Sequence, residues 1–298
     1  MTDELGFDGK VAIVTGAGGG LGRSHALMLA SRGALVVVND LGGAVDGTGS
    51  DKGAAERVVD EITAAGGEAV ADTNSVSTPE GGAAIVQTAI DAFGRVDIVI
   101  NNAGILRDKA FHNLTPDLLN PVLDVHLKGA FHVSQPAFVK MREQGYGRIV
   151  CTSSAAGIFG NFGQTNYGAA KMGLVGLTRV LAVEGAKFNI KANAIAPLAL
   201  TRMTENILGG LGDKLDPSLI SPLVTFLAHE DCPATGRIFS VGGGRVAEIF
   251  IGETKGYVNP ALAAEHLRDH WEQVTDHRAY FVPENLNDES GIFLKALS

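Results

Sequence analysis

The sequence predicts an α/β fold: a doubly wound, seven-stranded parallel sheet followed by a C-terminal extension. Three observations carry this. Short β-branched runs recur at regular intervals along the first 244 residues. Several are apolar throughout instead of alternating, the mark of strands covered on both faces. Stretches with helical periodicity separate them, and such alternation closes into one parallel sheet with right-handed crossovers.

The predicted strands lie at 11–15, 35–39, 69–71, 97–101, 148–152, 191–195 and 237–241. Helical periodicity covers 22–32, 52–65, 79–93, 116–144, 166–187 and 218–229. No linker, repeat or low-complexity tract interrupts the pattern, so residues 1–244 read as one domain ending in Val241-Gly-Gly-Gly244. Residues 245–298 read as an extension, with an amphipathic stretch at 260–275 and turn-rich sequence after it. It is expected to pack on the same domain or on a neighbouring subunit.

Composition narrows the function. With 298 residues, 45% of them apolar and 19% charged, the chain can bury a real core. Glycine supplies 39 residues, close to twice the usual share of about 7%. A net charge of −9 argues against general nucleic-acid binding, so any anionic ligand must be held by local groups. Cys151 and Cys232 make no disulfide framework. The start of the chain has no apolar signal core, and no apolar run approaches the roughly 18 residues needed to span a bilayer. Lys295-Ala-Leu-Ser298 is not a Ser-Lys-Leu peroxisomal address. A cytoplasmic protein without a membrane or nucleic-acid partner is expected.

The first strand runs into Thr15-Gly16-Ala-Gly-Gly-Gly20-Leu21-Gly22 and then a helix. A glycine-rich turn there lets backbone N–H groups meet a pyrophosphate at a helix N-terminus. Gly16, Gly20 and Gly22 are its framework. Asp40 ends the second strand, a little over twenty residues after Gly16, where an acid that binds ribose hydroxyls is expected. Its charge repels a 2′-phosphate, so NAD is the expected cofactor. A simpler role for Asp40 is to cap its own turn.

The fifth strand leads into Ser153-Ser154, and Tyr167 and Lys171 follow at i and i+4 on one helix face. An ammonium beside a phenol is expected to lower the phenol's pKa. Tyr167 can then exchange the proton of an alcohol while Ser154 holds its oxygen.

With these residues in order, the chain resembles the short-chain dehydrogenase/reductase family, whose fold is Rossmann-like. The matching pieces are Thr15–Gly22, Asp40, Asn101-Asn102-Ala103-Gly104, Ser154, Tyr167-x-x-x-Lys171 and Asn193-Ala-Ile-Ala-Pro197. The resemblance implies that Asn102, Ala103 and Gly104 line the adenosine side and that Lys171 also bonds the nicotinamide ribose. It places the carboxamide along 197–201, starting at Pro197, and the adenine near Asn74 and Ser75. Leu21 and Leu41, beside the glycine loop and the acid, complete the implied cofactor set. His126 stands where the family usually has a catalytic Asn acting through its main-chain carbonyl, which makes His126 the relay candidate. Pro197-Leu198 replaces the frequent Pro-Gly.

A narrower resemblance is to the (3R)-hydroxyacyl-CoA dehydrogenase units of peroxisomal multifunctional β-oxidation enzymes, also described as 17β-hydroxysteroid dehydrogenases. It rests on Asn39-Asp-Leu-Gly-Gly43, Asn102-Ala-Gly-Ile-Leu-Arg-Asp108, Phe159-Gly-Asn-Phe-Gly-Gln-Thr-Asn-Tyr167, Arg202-Met-Thr204 and the tail. It implies an NAD-dependent dehydrogenase acting on a 3-hydroxyacyl-CoA or a steroid-derived CoA thioester, here as a stand-alone chain. Arg107, Lys109, Arg202 and Lys214 would flank the substrate mouth, within reach of CoA phosphates. Free steroid is the near alternative. A non-catalytic NAD(H)-binding regulator is the alternative of another class, disfavoured by the intact Ser154–Tyr167–Lys171 set.

Two further expectations complete the reading. The helix at 166–187 carries Met172, Leu174, Val175, Leu177, Val180, Leu181 and Val183, more apolar surface than one sheet face covers. With the helix at 116–144 it is expected to pair subunits into a homodimer or homotetramer. His266 and His270 have i, i+4 spacing but no evident third ligand, so no metal is expected.

Overall fold

The computed structural model describes residues 4–49, 51, 53–199 and 214–296. They divide into two units, Met1–Glu248 and Ile249–Ser298. The first holds an eight-stranded sheet in the order β3-β2-β1-β4-β5-β6-β7-β8. Its strands are β1 (Val11–Thr15), β2 (Leu35–Asn39), β3 (Glu68–Asp72), β4 (Ile98–Asn101), β5 (Gly147–Thr152), β6 (Ile190–Pro197), β7 (Ile238–Gly242) and β8 (Arg245–Ile249). Neighbours from β3 to β7 all pair in parallel.

The expected sheet is present with one addition. After β7 the chain turns through Gly243-Gly244 and returns as β8, so the glycine cluster makes a hairpin where a domain end was expected. The apolar runs are strands because both faces are covered: every residue of β1, β4 and β5 is buried. Helices α1 (Gly20–Ser31) and α2 (Gly53–Ala64) and the helix Ser221–Ala228 cover one face, around Val14, Leu29, Val38, Ile62, Ile100 and Val224. The other face meets α3 (Pro79–Phe93), α5 (Gly129–Gln144) and α7 (Thr165–Gly185).

The chain builds outward from β1 in one direction to β3, then restarts at β4 on the other side. That reversal opens a crevice at the carboxyl ends of β1 and β4. The long helix expected over 116–144 is broken. It consists of α4 (Pro116–Leu123), one π-helical turn (Asp124–Lys128) and α5. Such turns are rare and cluster at functional sites; this one carries His126.

Unit 249–298 has the antiparallel pair β9 (Glu253–Thr254) and β10 (Tyr280–Phe281), with helices Ala264–Asp269, Trp271–Val274 and Leu286–Ala296. The last helix lies in sequence read as turn-rich. None of the unit's described residues is buried. His266 and His270 are engaged internally. His266 Nδ1 meets Asn259 Nδ2 at 3.1 Å and the Ala263 N–H at 3.2 Å, and His270 stacks on Tyr257 with centroids 4.2 Å apart.

In the first unit, His25 of α1 is fully buried, with Nδ1 2.8 Å from Ser221 Oγ and Nε2 without a partner. Burial pulls its pKa down to about 3. The unfolded imidazole, near 6.5, binds a proton that the folded one refuses, so stability falls as pH drops from about 6.5 toward 3. From pH 7.5 to 5.0 this group should cost about 2 kcal/mol. Urea unfolding of His25→Gln should lose that much less over the same range; parallel losses in both proteins would contradict it.

Candidate active site

The glycine loop is held by the start of the β4–α4 connection. Asn102 Nδ2 donates to the carbonyls of Thr15 (2.9 Å) and Gly16 (3.1 Å). Thr15 Oγ1 accepts from the Asn102 and Ala103 N–H groups at 3.0 and 3.1 Å. The fit is close enough to demand glycine. Gly16 has φ +65°, and a Cβ on Gly22 would lie 2.2 Å from the Gly16 carbonyl oxygen. Gly22 therefore packs α1 onto the loop and, unlike the other expected cofactor residues, does not line the cleft.

Asp40 does cap its turn, and it also steadies the loop. Oδ1 accepts from the Gly42 N–H at 2.6 Å and Oδ2 from the Gly18 N–H at 2.7 Å. Each oxygen keeps lone-pair capacity for a hydroxyl donor. Beside it, buried Asp72 gathers Asn39 Nδ2, the Asn74 N–H, Asn74 Nδ2 and Thr88 Oγ1, which fixes Asn74 at the cleft wall.

These groups line one continuous cleft of about 610 Å³. Gly16, Gly20, Leu21, Asp40, Leu41, Asn74 and Ser75 lie along it with Asn102, Ala103 and Gly104. It continues to His126, Ser154, Tyr167, Lys171 and Pro197. A long trough with close-packed glycines at its middle, a carboxylate at one end and a hydroxyl–phenol–ammonium group at the other fits a dinucleotide. Of the stretch 197–201 expected to hold the carboxamide, residues 200 and 201 lie outside the described residues, as does Arg202, expected at the substrate mouth.

At the far end, Ser154 caps α6 (Ala155–Phe159), accepting from the Ala156 N–H at 3.1 Å, and hydrogen-bonds Tyr167. Lys171 is buried, donates to the Thr152 carbonyl, and keeps Nζ 5.5 Å from the Tyr167 ring centroid. The expected lowering of the phenol pKa is not what this site gives. Burial pushes the Tyr167 phenol above its usual value, the Ser154 bond opposes this, and the Asp108 carboxylate adds to it. Burial also draws Lys171 down to about 7. Desolvation is the largest cause of both shifts, because burial disfavours the charged form of each group.

His126 is built into the site through its ring. Nε2 lies 3.0 Å from the Ile105 N–H nitrogen and 2.8 Å from the Ile105 oxygen, and the ring meets Tyr167 edge-on, centroids 5.1 Å apart. A Cβ on Gly104 would come within 2.3 Å of its Cε1. Burial, then the Lys171 charge, hold His126 well below its ordinary pKa, so the ring is neutral.

Sequence reading missed several contributors. Buried Asn166 donates to the carbonyls of Arg107 and Leu118, both at 2.9 Å, and accepts from the Tyr167 N–H, which anchors the start of α7. Residues Gly43 to Val45 and Gly47 also wall the cleft. They are tied by Leu106 N–H to the Val45 carbonyl and by Arg107 Nε to the Asp46 carbonyl, both 2.9 Å. Arg107 lines the cleft, but its guanidinium serves carbonyls of the fold. An Asn immediately before the Tyr of the Tyr-x-x-x-Lys pair was the available signal for Asn166; the loop carried none.

The family profile for short chain dehydrogenase matches residues 10–209. The chain belongs to that family, oxidoreductases that use a nicotinamide dinucleotide. It is 47% identical to the peroxisomal multifunctional enzyme type 2 of Mus musculus over 100% of this chain and 41% of that protein. It is 50% identical to a short-chain type dehydrogenase/reductase of Mycobacterium tuberculosis, covering 91% of this chain and 96% of that one. The full-length Drosophila melanogaster peroxisomal multifunctional enzyme type 2 structure superposes with a TM-score of 0.82 at 42% identity, over 98% of this chain and 50% of that chain. The chain thus spans about half of the length of these two multifunctional relatives, 41% of one and 50% of the other. Their names place them in peroxisomes, unlike the cytoplasmic location expected from sequence. Among the described residues no helix is long and apolar enough to cross a membrane.

The buried lysine gives a stability prediction. Between pH 7 and about 10.4 the unfolded chain keeps a proton that the folded one sheds, so stability rises with pH there, and the full cost of the ammonium stands at pH 7 and below. Lys171→Met should therefore stabilise the ligand-free protein at pH 7 by about 1–3 kcal/mol. The gain should shrink toward pH 10. Urea midpoints showing a less stable variant at pH 7 would contradict this.

Proposed function

We propose that this chain is an NAD-linked dehydrogenase that interconverts a 3-hydroxyacyl-CoA and its 3-ketone. The convergence of Ser154, Tyr167 and Lys171 at one end of the cleft, with Asp40 near the other, carries the reading. The names of relatives support the acyl class, among them a hydroxyacyl-CoA dehydrogenase of Mycobacterium tuberculosis at 39% identity.

Nicotinamide, when bound, supplies the hydride acceptor. The residues of this chain do the rest. Ser154 holds the carbinol oxygen, and Tyr167 takes its proton as the carbon–hydrogen bond breaks and the ketone forms. Lys171 favours the ionised phenol and positions the ribose. Neutral His126 braces the Tyr167 ring. Gly16, Gly20 and Leu21 receive the pyrophosphate, and Gly22 acts by holding the loop. Asn102, Ala103, Gly104, Asn74, Ser75 and Leu41 would hold the adenosine, and Pro197 would border the nicotinamide. Oxidation should rise with pH and reduction fall, because one needs the phenol ionised and the other needs it protonated.

The test is NADH formation with a panel of 3-hydroxyacyl-CoA esters and free 17β-hydroxysteroids, run with NAD and NADP. Turnover of the esters with NAD well above NADP is expected, since the Asp40 carboxylate would repel a 2′-phosphate. Turnover of free steroid alone would replace the substrate reading, and equal use of NADP would sink the role of Asp40.

The assembly reading is a homodimer or homotetramer. Leu174, Val175 and Leu177 are covered by the fold, but Met172, Val180 and Val183 on α7 and Phe131 and Val139 on α5 are exposed. Exposed apolar side chains on these two helices support two-fold pairing. Light scattering at micromolar concentration should give at least a dimer mass; a monomer would contradict the pairing.

A further inference from the structure

The loop that follows Asp40 closes on itself. The Gly42 carbonyl accepts from the Asp51 N–H at 2.8 Å, and the Ala44 N–H donates to the Thr48 carbonyl at 2.8 Å. Ala44, Val45 and Gly47, at its tip, wall the cleft. None of the loop's described residues is buried. Burial therefore does not hold this wall in place, and hydrogen bonds must. Two reach the tip from the connection after β4: the Leu106 N–H to the Val45 carbonyl and Arg107 Nε to the Asp46 carbonyl, both 2.9 Å. Ile105 packs against the tip as well, since a Cβ on Gly47 would lie 3.1 Å from its Cδ1. Arg107 is anchored on its other side. Its Nη1 donates to the Asp117 carbonyl of α4 at 2.9 Å. Its own carbonyl accepts from Asn166 Nδ2 at 2.9 Å, and Asn166 Oδ1 accepts from the Tyr167 N–H at 2.8 Å.

A guanidinium committed to carbonyls on two separate elements is a strap between them. Its charge is felt on both sides. Bonds from Thr48 chiefly, and the Arg107 charge after them, hold the Asp46 carboxyl below its ordinary value. A bond from Thr115 chiefly, and Arg107 after it, do the same to Asp117. We infer that Arg107 is a positioning residue for the cofactor, one that acts through the loop by holding its tip, 44–47, as a wall beside the adenosine. The anchor suits the task, because the strap ends on α4 and on the start of the helix that carries Tyr167, not on another free loop. On this reading the guanidinium does not serve CoA phosphates, the role expected for it from sequence. The inference rests on the proposed placement of adenosine at the Asp40 end of the cleft.

The test reads the loop and the binding separately. Hydrogen exchange across 42–51 of the ligand-free protein, by mass spectrometry, and the affinity for ADP-ribose, by calorimetry, are compared in wild type and Arg107→Met. Methionine keeps an unbranched stem and loses both side-chain bonds. Exchange should rise by about tenfold or more across 42–51 and stay near wild type in β1 and β4. The Kd for ADP-ribose should rise by about tenfold, the scale of one charged hydrogen bond. Arg107→Lys keeps the charge and can reach one carbonyl at a time, so it should fall between the two. Unchanged exchange, or unchanged ADP-ribose affinity, in Arg107→Met would overturn the inference. So would exchange that rises over the whole chain, which would make Arg107 a support of the fold at large. Weaker binding of CoA with ADP-ribose unaffected would also overturn it, assigning the side chain to a phosphate. Wild type that binds NADH but not ADP-ribose would instead bring down the placement of adenosine at Asp40, a distinguishable outcome.

Discussion

The site depends on one knot of hydrogen bonds at the point where the sheet reverses direction. Asn102 and Thr15 exchange side-chain and main-chain bonds across β1 and β4, and Asn102 also holds the Gly16 carbonyl. A parallel sheet alone would leave the ends of those strands as independent loops. The knot fixes them to each other, so the glycine turn, the start of α1 and the wall at 102–105 become one rigid surface. Asp40 extends it to β2 through the Gly18 N–H, and Asp72 extends it to β3 through Asn39 and Asn74.

The other end of the cleft is arranged against stability. Lys171 is a buried cation whose ammonium donates to the Thr152 carbonyl, and His126 keeps a buried Nδ1 without a partner. Burial depresses the pKa of both, and it raises that of Tyr167. Each shift makes the ionised form costly in the empty cleft. A site whose proton-carrying groups are held near neutrality, in fixed positions and away from water, is prepared for charge to develop only when substrate and cofactor are in place. The π-helical turn belongs to the same arrangement, because it brings the His126 ring between Ile105 and Tyr167.

Much of this was legible in the sequence because the signals are local. Uninterrupted β-branched runs gave strands β1 and β2 at their observed limits, since both faces are covered. Spacing alone put Tyr167 and Lys171 on one helix face. What depends on distant packing was not legible. The phenol's pKa moved opposite to expectation because desolvation is a property of the folded environment and not of an i, i+4 pair. Gly22 sits in the motif but serves helix packing. The break in the helix over 116–144 leaves no mark in a pattern that stays apolar and periodic through it. Residues 43–47 wall the cleft by backbone bonds to 106 and 107, which composition does not encode.

The central claim is that Tyr167 moves the proton for an NAD-linked oxidation. Single-turnover stopped-flow measurement of NADH formation from a 3-hydroxyacyl-CoA by Tyr167→Phe, with NAD affinity titrated in parallel, tests it most directly. The ring and its edge contact with His126 survive that change, so NAD affinity should stay within about twofold. NADH formation should fall by about 10²–10⁴-fold, the range for losing a positioned acid–base group. Turnover within tenfold of wild type would contradict the account, because another group would then be moving the proton.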